Sequence, residues 1–277
     1  MSASYEAEII RGYFDALAEQ EWARLEATLE GRVSLHLHGS YLREFIHAGA
    51  EVLEIGAGPG RFTIELARLG ARVTVGDVSE VQLDLNRERV AAAGCEASVV
   101  ARKVLDIVDL SDLPSERFDA VVAYGGPLSY AMEHADEALG HLLRVTRRGG
   151  HVLLSVMALV GATRKFAASC VKWARERSLG EVERVIRTGD QAGDIARGHH
   201  CHMYRWAELA ALVARHRCVV VAASASNFLS VNQDEALGTL PDEPELWATF
   251  LRWEREYCRE PGALDGGTHI IAVLQRV

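Results

Sequence analysis

The sequence predicts an α/β protein built on a doubly wound parallel sheet. The first observation is the stretch 51–67, where an apolar strand, a glycine-rich turn and a helix follow one another, the order that opens such a sheet. The second is the alternation of strand and helix patterns up to Val156, which is typical of βαβ units. The third is size, because 277 residues fit one domain with a long insertion or two small domains.

Residues 4–48 precede the sheet and are predicted to be helical, because apolar residues recur there at three- and four-residue spacing. These residues are Ile9, Ile10, Tyr13, Phe14, Leu17, Trp22, Leu25 and Leu29. A second short helix is predicted to begin at Ser40. Two interpretations stay open: the helices cover the sheet edge, or they form a lid that places Tyr13, Phe14 or Trp22 over a ligand.

Three glycines, Gly56, Gly58 and Gly60, follow the first strand. They leave room for a ligand to lie against the main chain, and the helix after them offers unpaired N–H groups to an anion. A mononucleotide P-loop is excluded, because it requires Lys and then Ser or Thr after the glycines, and Arg61 and Phe62 stand there. A dinucleotide fingerprint would need its third glycine at position 61.

An acid, Asp77, ends the next strand, residues 72–76. It lies at about the 20-residue distance beyond Gly56 that is expected of an acid holding a ribose diol. A carboxylate suits this role because it only accepts hydrogen bonds and can bind both hydroxyls. Ser79 is predicted to cap the following helix in a capping box with Gln82, and Gly94 to close it.

The run Glu-Ile-Gly-Ala-Gly-Pro-Gly at residues 54–60 resembles the first motif of the class I S-adenosylmethionine-dependent methyltransferases. The resemblance covers residues 50–157 by the order and spacing of elements, although Arg148 stands where family members have a proline. It implies a Rossmann-like sheet of seven strands with the last one antiparallel, N-terminal helices and a lid insertion. It also implies S-adenosylmethionine as cofactor, S-adenosylhomocysteine as product and an O, N or C atom of a small molecule as methyl acceptor.

The resemblance further implies a cofactor site. Its residues are Glu54, Gly56, Ala57, Gly58, Gly60, Asp77, Val78, Asp106, Ile107 and Tyr124. In family terms Glu54 belongs to the methionine end, Asp77 to the ribose and Val78 to the adenosine. Asp106 would bind the adenine amino group and Ile107 would cover the ring, with Asp109 a second candidate for that contact.

The acceptor is expected beside the residues 125–130 and before the helix that starts at Trp206, where family members line the acceptor site. The candidate acceptor-binding residues are Tyr13, Trp22, Tyr130, His200, His202 and Tyr204. Insertions at 158–203 and 227–267 are predicted to shape this site within a methyltransferase domain of residues 50–277, preceded by a helical cover of residues 1–49.

A histidine-rich run at residues 199–204 offers candidate catalytic groups. In an extended chain His200, His202 and Tyr204 share one face, and His199, Cys201 and Met203 share the other. His200 and His202 are candidate proton acceptors, because histidine titrates near neutrality; solvated loop histidines are the alternative. A metal site is not predicted, since adjacent residues point to opposite faces and supply at most two ligands to one point.

Composition limits the remaining function classes. A formal net charge of −9 argues against nucleic-acid binding, which needs a basic surface. The sequence shows neither a membrane-length apolar run nor a signal pattern, so a cytoplasmic protein without a membrane partner is expected. Five scattered cysteines fit free thiols, and a homodimer is compatible with the sequence. Two rival functions stay open: an NAD(P)-dependent oxidoreductase and a non-catalytic nucleoside-binding protein.

Overall fold

The computed structural model describes residues 5–192 and 199–277. The strands are β1 (Glu51–Ile55), β2 (Arg72–Asp77), β3 (Val99–Val104), β4 (Phe118–Ala123), β5 (Thr146–Met157), β6 (Asp190–Gln191), β7 (Cys201–His202), β8 (Cys218–Ala225) and β9 (His269–Arg276). The helices up to β5 are α1 (Ala7–Leu17), α2 (Glu19–Arg24), α3 (Leu29–Phe45), α4 (Arg61–Arg68), α5 (Glu80–Ala92), α6 (Pro127–Tyr130) and α7 (Ala135–Val145). Those after it are α8 (Leu159–Lys165), α9 (Ala167–Glu176), α10 (Leu179–Thr188), α11 (Trp206–Val213), α12 (Asp234–Leu237) and α13 (Pro244–Tyr257).

Seven strands form one sheet in the order β3-β2-β1-β4-β5-β9-β8. The strands β1 to β5 run parallel, and β9 pairs antiparallel with both β5 and β8. The predicted seven-stranded sheet with an antiparallel last strand is therefore confirmed. The strand order reverses between β1 and β4, and ligands of doubly wound sheets bind at the carboxyl ends of the strands at such a point.

Helices cover both faces of the sheet. On one face α7 and α11 bury leucines such as Leu139 and Leu209 against the strands. On the other, α3 and α13 bury Leu37, Tyr41 and Phe250. The central strands are apolar on both sides, as covered parallel strands require. The helix α3, which lies in the segment predicted as a helical cover, is thus part of the core.

The helix α3 is longer than the sequence pattern predicts. Its N-cap is Thr28, whose hydroxyl accepts a hydrogen bond from the Gly31 N–H at 3.1 Å. Ser40 lies inside the helix. Its hydroxyl donates a hydrogen bond to the Leu37 carbonyl at 2.7 Å and does not cap a new helix. The predicted short helix from Ser40 is therefore replaced by one continuous helix.

The predicted cap of α5 forms, but the capping box does not close. The Ser79 hydroxyl accepts from the Gln82 N–H at 3.0 Å. The Gln82 side chain, however, donates to the carbonyl of Phe14 at 2.9 Å. The residue that would have completed the box therefore ties α1 to the sheet domain.

The insertion after β5 holds the helices α8, α9 and α10 and then the antiparallel hairpin β6–β7. Residues 193–198 of this insertion lie outside the described part of the chain. Among the helices that the structure describes, none is both long and apolar enough to cross a bilayer.

Candidate functional site

The glycine turn after β1 has a backbone that favours glycine at each of its three positions. Gly56, Gly58 and Gly60 have φ values of 67°, 53° and 97°, a region that side chains with a Cβ rarely adopt. A Cβ on Gly56 would stand 2.4 Å from Pro127 Cγ. A Cβ on Gly58 would meet nothing within 4 Å, so this residue faces open space. The turn exposes main chain to a ligand at Gly58.

Asp77 lies at the end of β2 beside this turn and is 5% exposed. Its two carboxylate oxygens accept hydrogen bonds from the Gly58 N–H at 2.8 Å and the Ser79 N–H at 2.9 Å. Burial raises the pKa of Asp77 to about 6, although these N–H groups act to lower it. The carboxylate is thus fixed in orientation and ionised at neutral pH.

Glu54 lies behind the turn. Its carboxylate accepts a hydrogen bond from the Thr63 hydroxyl at 2.6 Å, and Asn86 donates to the same hydroxyl at 2.9 Å. Burial raises the pKa of Glu54 to about 8, against the lowering effect of Thr63. Gly60 likewise faces Asn86 and Val90. Glu54 and Gly60, both predicted to bind the cofactor, therefore lie behind the turn and support it.

A first cavity of about 110 Å³ lies above the glycine turn. The other eight predicted cofactor residues line it: Gly56, Ala57, Gly58, Asp77, Val78, Asp106, Ile107 and Tyr124. The Tyr124 ring is buried against His38 and Phe62, with centroids 4.5 and 5.1 Å apart. The sequence-predicted residues from four strand ends are thus brought together around one space.

The N-terminal helices form the roof of this cavity. Tyr5, Ile10 and Phe14 line it from above, and the Tyr5 hydroxyl donates a hydrogen bond to the Asp106 carboxylate. Asp15 accepts a hydrogen bond from the Ser79 hydroxyl at 2.5 Å, which fastens α1 to the cap of α5. Tyr5 has no sequence signal, since its partner lies 101 residues away.

Trp22 packs beside the roof and is not among the described residues that line the first cavity. Its ring is covered by the guanidinium groups of Arg61 and Arg89, at 3.9 and 4.3 Å from the centroid, as in cation–π contacts. Arg61 also donates to the Trp22 carbonyl at 2.7 Å. Arg61 therefore holds α2 over the glycine turn and itself lines the first cavity.

A second cavity of about 520 Å³ adjoins the first. Phe14, Glu21, Leu25, Gly125 and Tyr130 line both cavities, and we call these five residues the junction. Of the predicted acceptor residues, Tyr13 and Tyr130 lie on the second cavity, whereas Trp22 is absent from its described walls as well.

The histidine-rich run divides into two faces, as its alternation predicts. His199, Cys201 and Met203 line the second cavity, whereas His200 lies outside its described walls. On the opposite face, His202 hydrogen-bonds Asp190 at 2.7 Å and Glu208 at 2.8 Å, and Tyr204 is buried in the core. The residue of this run that brings an imidazole to the second cavity is therefore His199, and not the predicted His200 or His202.

His202 is expected to stabilise the hairpin most strongly at low pH. Burial lowers its pKa, but the bonds to Glu208 and Asp190 outweigh burial and the pKa is raised. The stabilisation is then fully present below the unfolded pKa of about 6.5 and is lost as pH rises through the folded value. We expect His202→Gln to cost about 1.5–3 kcal/mol below pH 6 and less as pH increases, measured by urea unfolding.

The exposed His47 provides the control for this prediction. His47→Gln should leave the free energy of unfolding within about 0.5 kcal/mol of the parent at each pH. A His202→Gln cost that grows with pH contradicts the assignment.

Within residues 5–192 and 199–277, no group of three or more His, Cys, Asp or Glu side chains is placed to hold a metal ion.

Comparison with known proteins agrees with this geometry. A methyltransferase-domain family matches residues 52–150, the stretch from β1 into β5. Over these residues the chain matches a methyltransferase domain, in agreement with the resemblance to the class I S-adenosylmethionine-dependent methyltransferases. Among curated proteins, methyltransferase GfsG of Streptomyces halstedii is 29% identical over 160 residues, which are 55% of each chain. The chain spans about half the length of that relative.

Two solved structures share the fold of this chain. Magnesium protoporphyrin IX methyltransferase of Synechocystis PCC 6803, solved with bound S-adenosylmethionine, matches with a TM-score of 0.60 at 13% identity, over 100% of both chains. The [4+2]-cyclase SpnF matches with a TM-score of 0.55 at 15% identity, over 87% of this chain and 81% of its own.

Proposed function

We propose that this methyltransferase binds S-adenosylmethionine in the first cavity and transfers its methyl group to an O, N or C atom of a small molecule in the second cavity. The observation that carries the proposal is the joining of the two cavities beside the glycine turn and Asp77. S-adenosylhomocysteine is the expected product.

The residues around the first cavity fit the parts of the cofactor. The fixed carboxylate of Asp77 has lone pairs left for two ribose hydroxyls. Asp106 supplies an acceptor for the adenine amino group, and Ile107 supplies an apolar wall. The open main chain at Gly58 suits the methionine end. When bound, the cofactor supplies an electrophilic methyl group on a sulfonium.

The chain's own contribution is alignment and the exclusion of water. Holding both reactants across the junction makes the transfer effectively intramolecular, which lowers the barrier by several kcal/mol. Phe14 and Leu25 are apolar members of the junction, so they shield the space through which the methyl group passes.

The part of the N-terminal segment that lies above the first cavity, residues 5–25, acts as a lid in this proposal. The first cavity measures about 110 Å³, below the ~300–1,000 Å³ of typical ligand sites. The Tyr5 hydroxyl also donates a hydrogen bond to the Asp106 carboxylate, the group proposed to bind the adenine amino group. The roof therefore has to move to admit a nucleoside. The insertions 158–203 and 227–267 contribute walls of the second cavity through Lys165 and Asn227.

Calorimetry with the purified chain tests the cofactor assignment. We expect S-adenosylmethionine and S-adenosylhomocysteine to bind with micromolar dissociation constants, about −8 kcal/mol, and NADH and NADPH to give no heat. Binding of a nicotinamide cofactor in place of S-adenosylmethionine would instead favour the oxidoreductase.

Methyl transfer has to be tested separately from cofactor binding. The solved structure named a [4+2]-cyclase has the same fold, and a fold alone does not fix the reaction. Incubation with methyl-labelled S-adenosylmethionine and a panel of small hydroxyl, amine and carbon acceptors should give labelled product by mass spectrometry. Cofactor binding without any labelled product would support a non-methylating role.

The proposed partner is a small-molecule methyl acceptor. The net charge of −9 supports a free small molecule as acceptor and disfavours nucleic acid. We propose a cytoplasmic protein, with a homodimer compatible with the chain.

A further inference from the structure

We propose that Tyr130 and His199 form a proton relay at the junction, and that the methyl acceptor is therefore a hydroxyl group. The inference deepens the proposed methyl transfer and rests on it. The fold leaves the class of the nucleophile open, and the inference uses these two side chains to assign it.

Tyr130 is one of two titratable side chains in the described junction; the other is Glu21. It ends α6, which begins after two glycines with positive φ, Gly125 and Gly126. The hydroxyl of the preceding Ser129 accepts a hydrogen bond from the Met157 N–H at 2.9 Å, which fixes α6 against β5. The phenol is thus held by the fold at the point where both cavities meet.

The Tyr130 hydroxyl lies 2.9 Å from His199 Nε2. The imidazole is stacked on Tyr13, with centroids 4.8 Å apart, and Phe14 meets the Tyr130 ring edge-on at 5.2 Å. Both rings of the pair are therefore fixed by aromatic contacts, and their hydrogen bond sits in the wall of the second cavity.

Gln191 positions the histidine through its main chain. The Gln191 amide donates to the His199 carbonyl at 3.1 Å. The same nitrogen is 3.4 Å from His199 Nδ1, at the long end of hydrogen-bond distances. The relay uses the tautomer of His199 that carries its proton on Nδ1, so that Nε2 accepts the hydrogen bond from the Tyr130 hydroxyl.

This arrangement can remove a proton in two linked transfers. The acceptor O–H gives its proton to the Tyr130 oxygen as the Tyr130 proton moves to His199 Nε2. The acceptor oxygen keeps the bonding pair and becomes the nucleophile, Tyr130 ends neutral, and His199 ends as the imidazolium. An amine acceptor needs no such base, because its lone pair is already available.

Other ionisable groups face the same space. Glu21 from α2, Tyr13 from α1 and Cys201 from β7 lie near the pair, and Glu30, Lys165 and His269 line the second cavity farther along. Lys165 forms an ion pair with Glu30. A pH profile has to be compared with variants of the pair to isolate their contribution.

The first test uses the ionisation of a bound phenol, measured without turnover. With S-adenosylhomocysteine present, 4-nitrophenol is titrated onto the protein, and its coloured phenolate is followed by absorbance against pH. We expect the bound phenol to ionise at lower pH than the free one, and Tyr130→Phe and His199→Gln each to abolish the shift. His47→Gln, on the exposed loop before β1, is the matched control.

The second test measures methyl transfer to phenols of graded acidity and to matched anilines. Tyr130→Phe and His199→Gln should lower kcat about 10²–10⁴-fold for weakly acidic phenols and much less for phenols already ionised at the assay pH. The relay is overturned if 4-nitrophenol bound to the wild-type protein ionises at the same pH as the free phenol, or if Tyr130→Phe shows the same shift as the wild type. Methylation of anilines alone also overturns it. If S-adenosylhomocysteine binds and no acceptor is methylated, the proposed function is wrong, and so is this inference, which rests on it.

Discussion

Asp77→Ala should weaken S-adenosylhomocysteine binding about 100-fold while the protein stays folded. A hydrogen bond to a charged group contributes roughly 1.5–3 kcal/mol, so losing two ribose contacts costs about 3 kcal/mol or more, and each 1.4 kcal/mol is tenfold. The change removes the acceptor of the Gly58 and Ser79 N–H groups, which costs about 1–3 kcal/mol each. The fold should tolerate this cost, because the change also removes a carboxylate whose pKa burial raises to about 6 and whose charge is costly to bury. Calorimetry and thermal unfolding measure the two effects.

The same residue gives cofactor binding a pH dependence. The ionised carboxylate is the form that accepts both ribose hydroxyls, and its pKa is raised to about 6. Affinity should therefore fall as pH drops below 6, by up to about tenfold per pH unit, and Asp77→Ala should remove this dependence. Asp84→Ala, on the exposed face of α5, is the control. Unchanged affinity in Asp77→Ala counts against the ribose contact.

Glu254→Ala should be the most destabilising single change proposed for this chain. The side chain is 0% exposed, and its carboxylate accepts backbone N–H groups from Phe228 and Leu229 at 3.0 Å and from Ser230 at 2.7 Å. Removal leaves three N–H groups unsatisfied, each costing about 1–3 kcal/mol. We expect a loss of about 3–5 kcal/mol, a large part of the ~5–15 kcal/mol by which proteins are stable, measured by urea unfolding.

Glu256→Ala, two residues along the same helix and exposed, is the control and should change the free energy of unfolding by about 0.5 kcal/mol or less. The loop that Glu254 holds includes Asn227, which lines the second cavity. Folded Glu254→Ala protein at low temperature should therefore keep S-adenosylhomocysteine affinity and lose acceptor binding. Equal stability of the two variants would show that the loop does not depend on the carboxylate.

Much of the first cavity could be predicted because its chemistry is local in the chain. The glycines need positive φ and Asp77 ends a strand, so both are visible as motif and spacing. The roof could not be predicted in the same way. Trp22 belongs to an apolar stripe that suggests an inward ring, but two cations, Arg61 and Arg89, hold the ring at the edge of α4 and α5.

The sequence by itself determined the strand and helix alternation of the sheet, its glycine turn, the acid beside it and the resemblance to a methyltransferase family, because each depends on residues close together in the chain. Only the tertiary structure decided which residue of the histidine-rich run lines the second cavity. Alternation separates His199 from His202, but it is Asp190 and Glu208 that draw His202 away and leave His199 against Tyr130. Partners brought together by hairpin pairing and helix packing made that choice, and no local pattern encodes it.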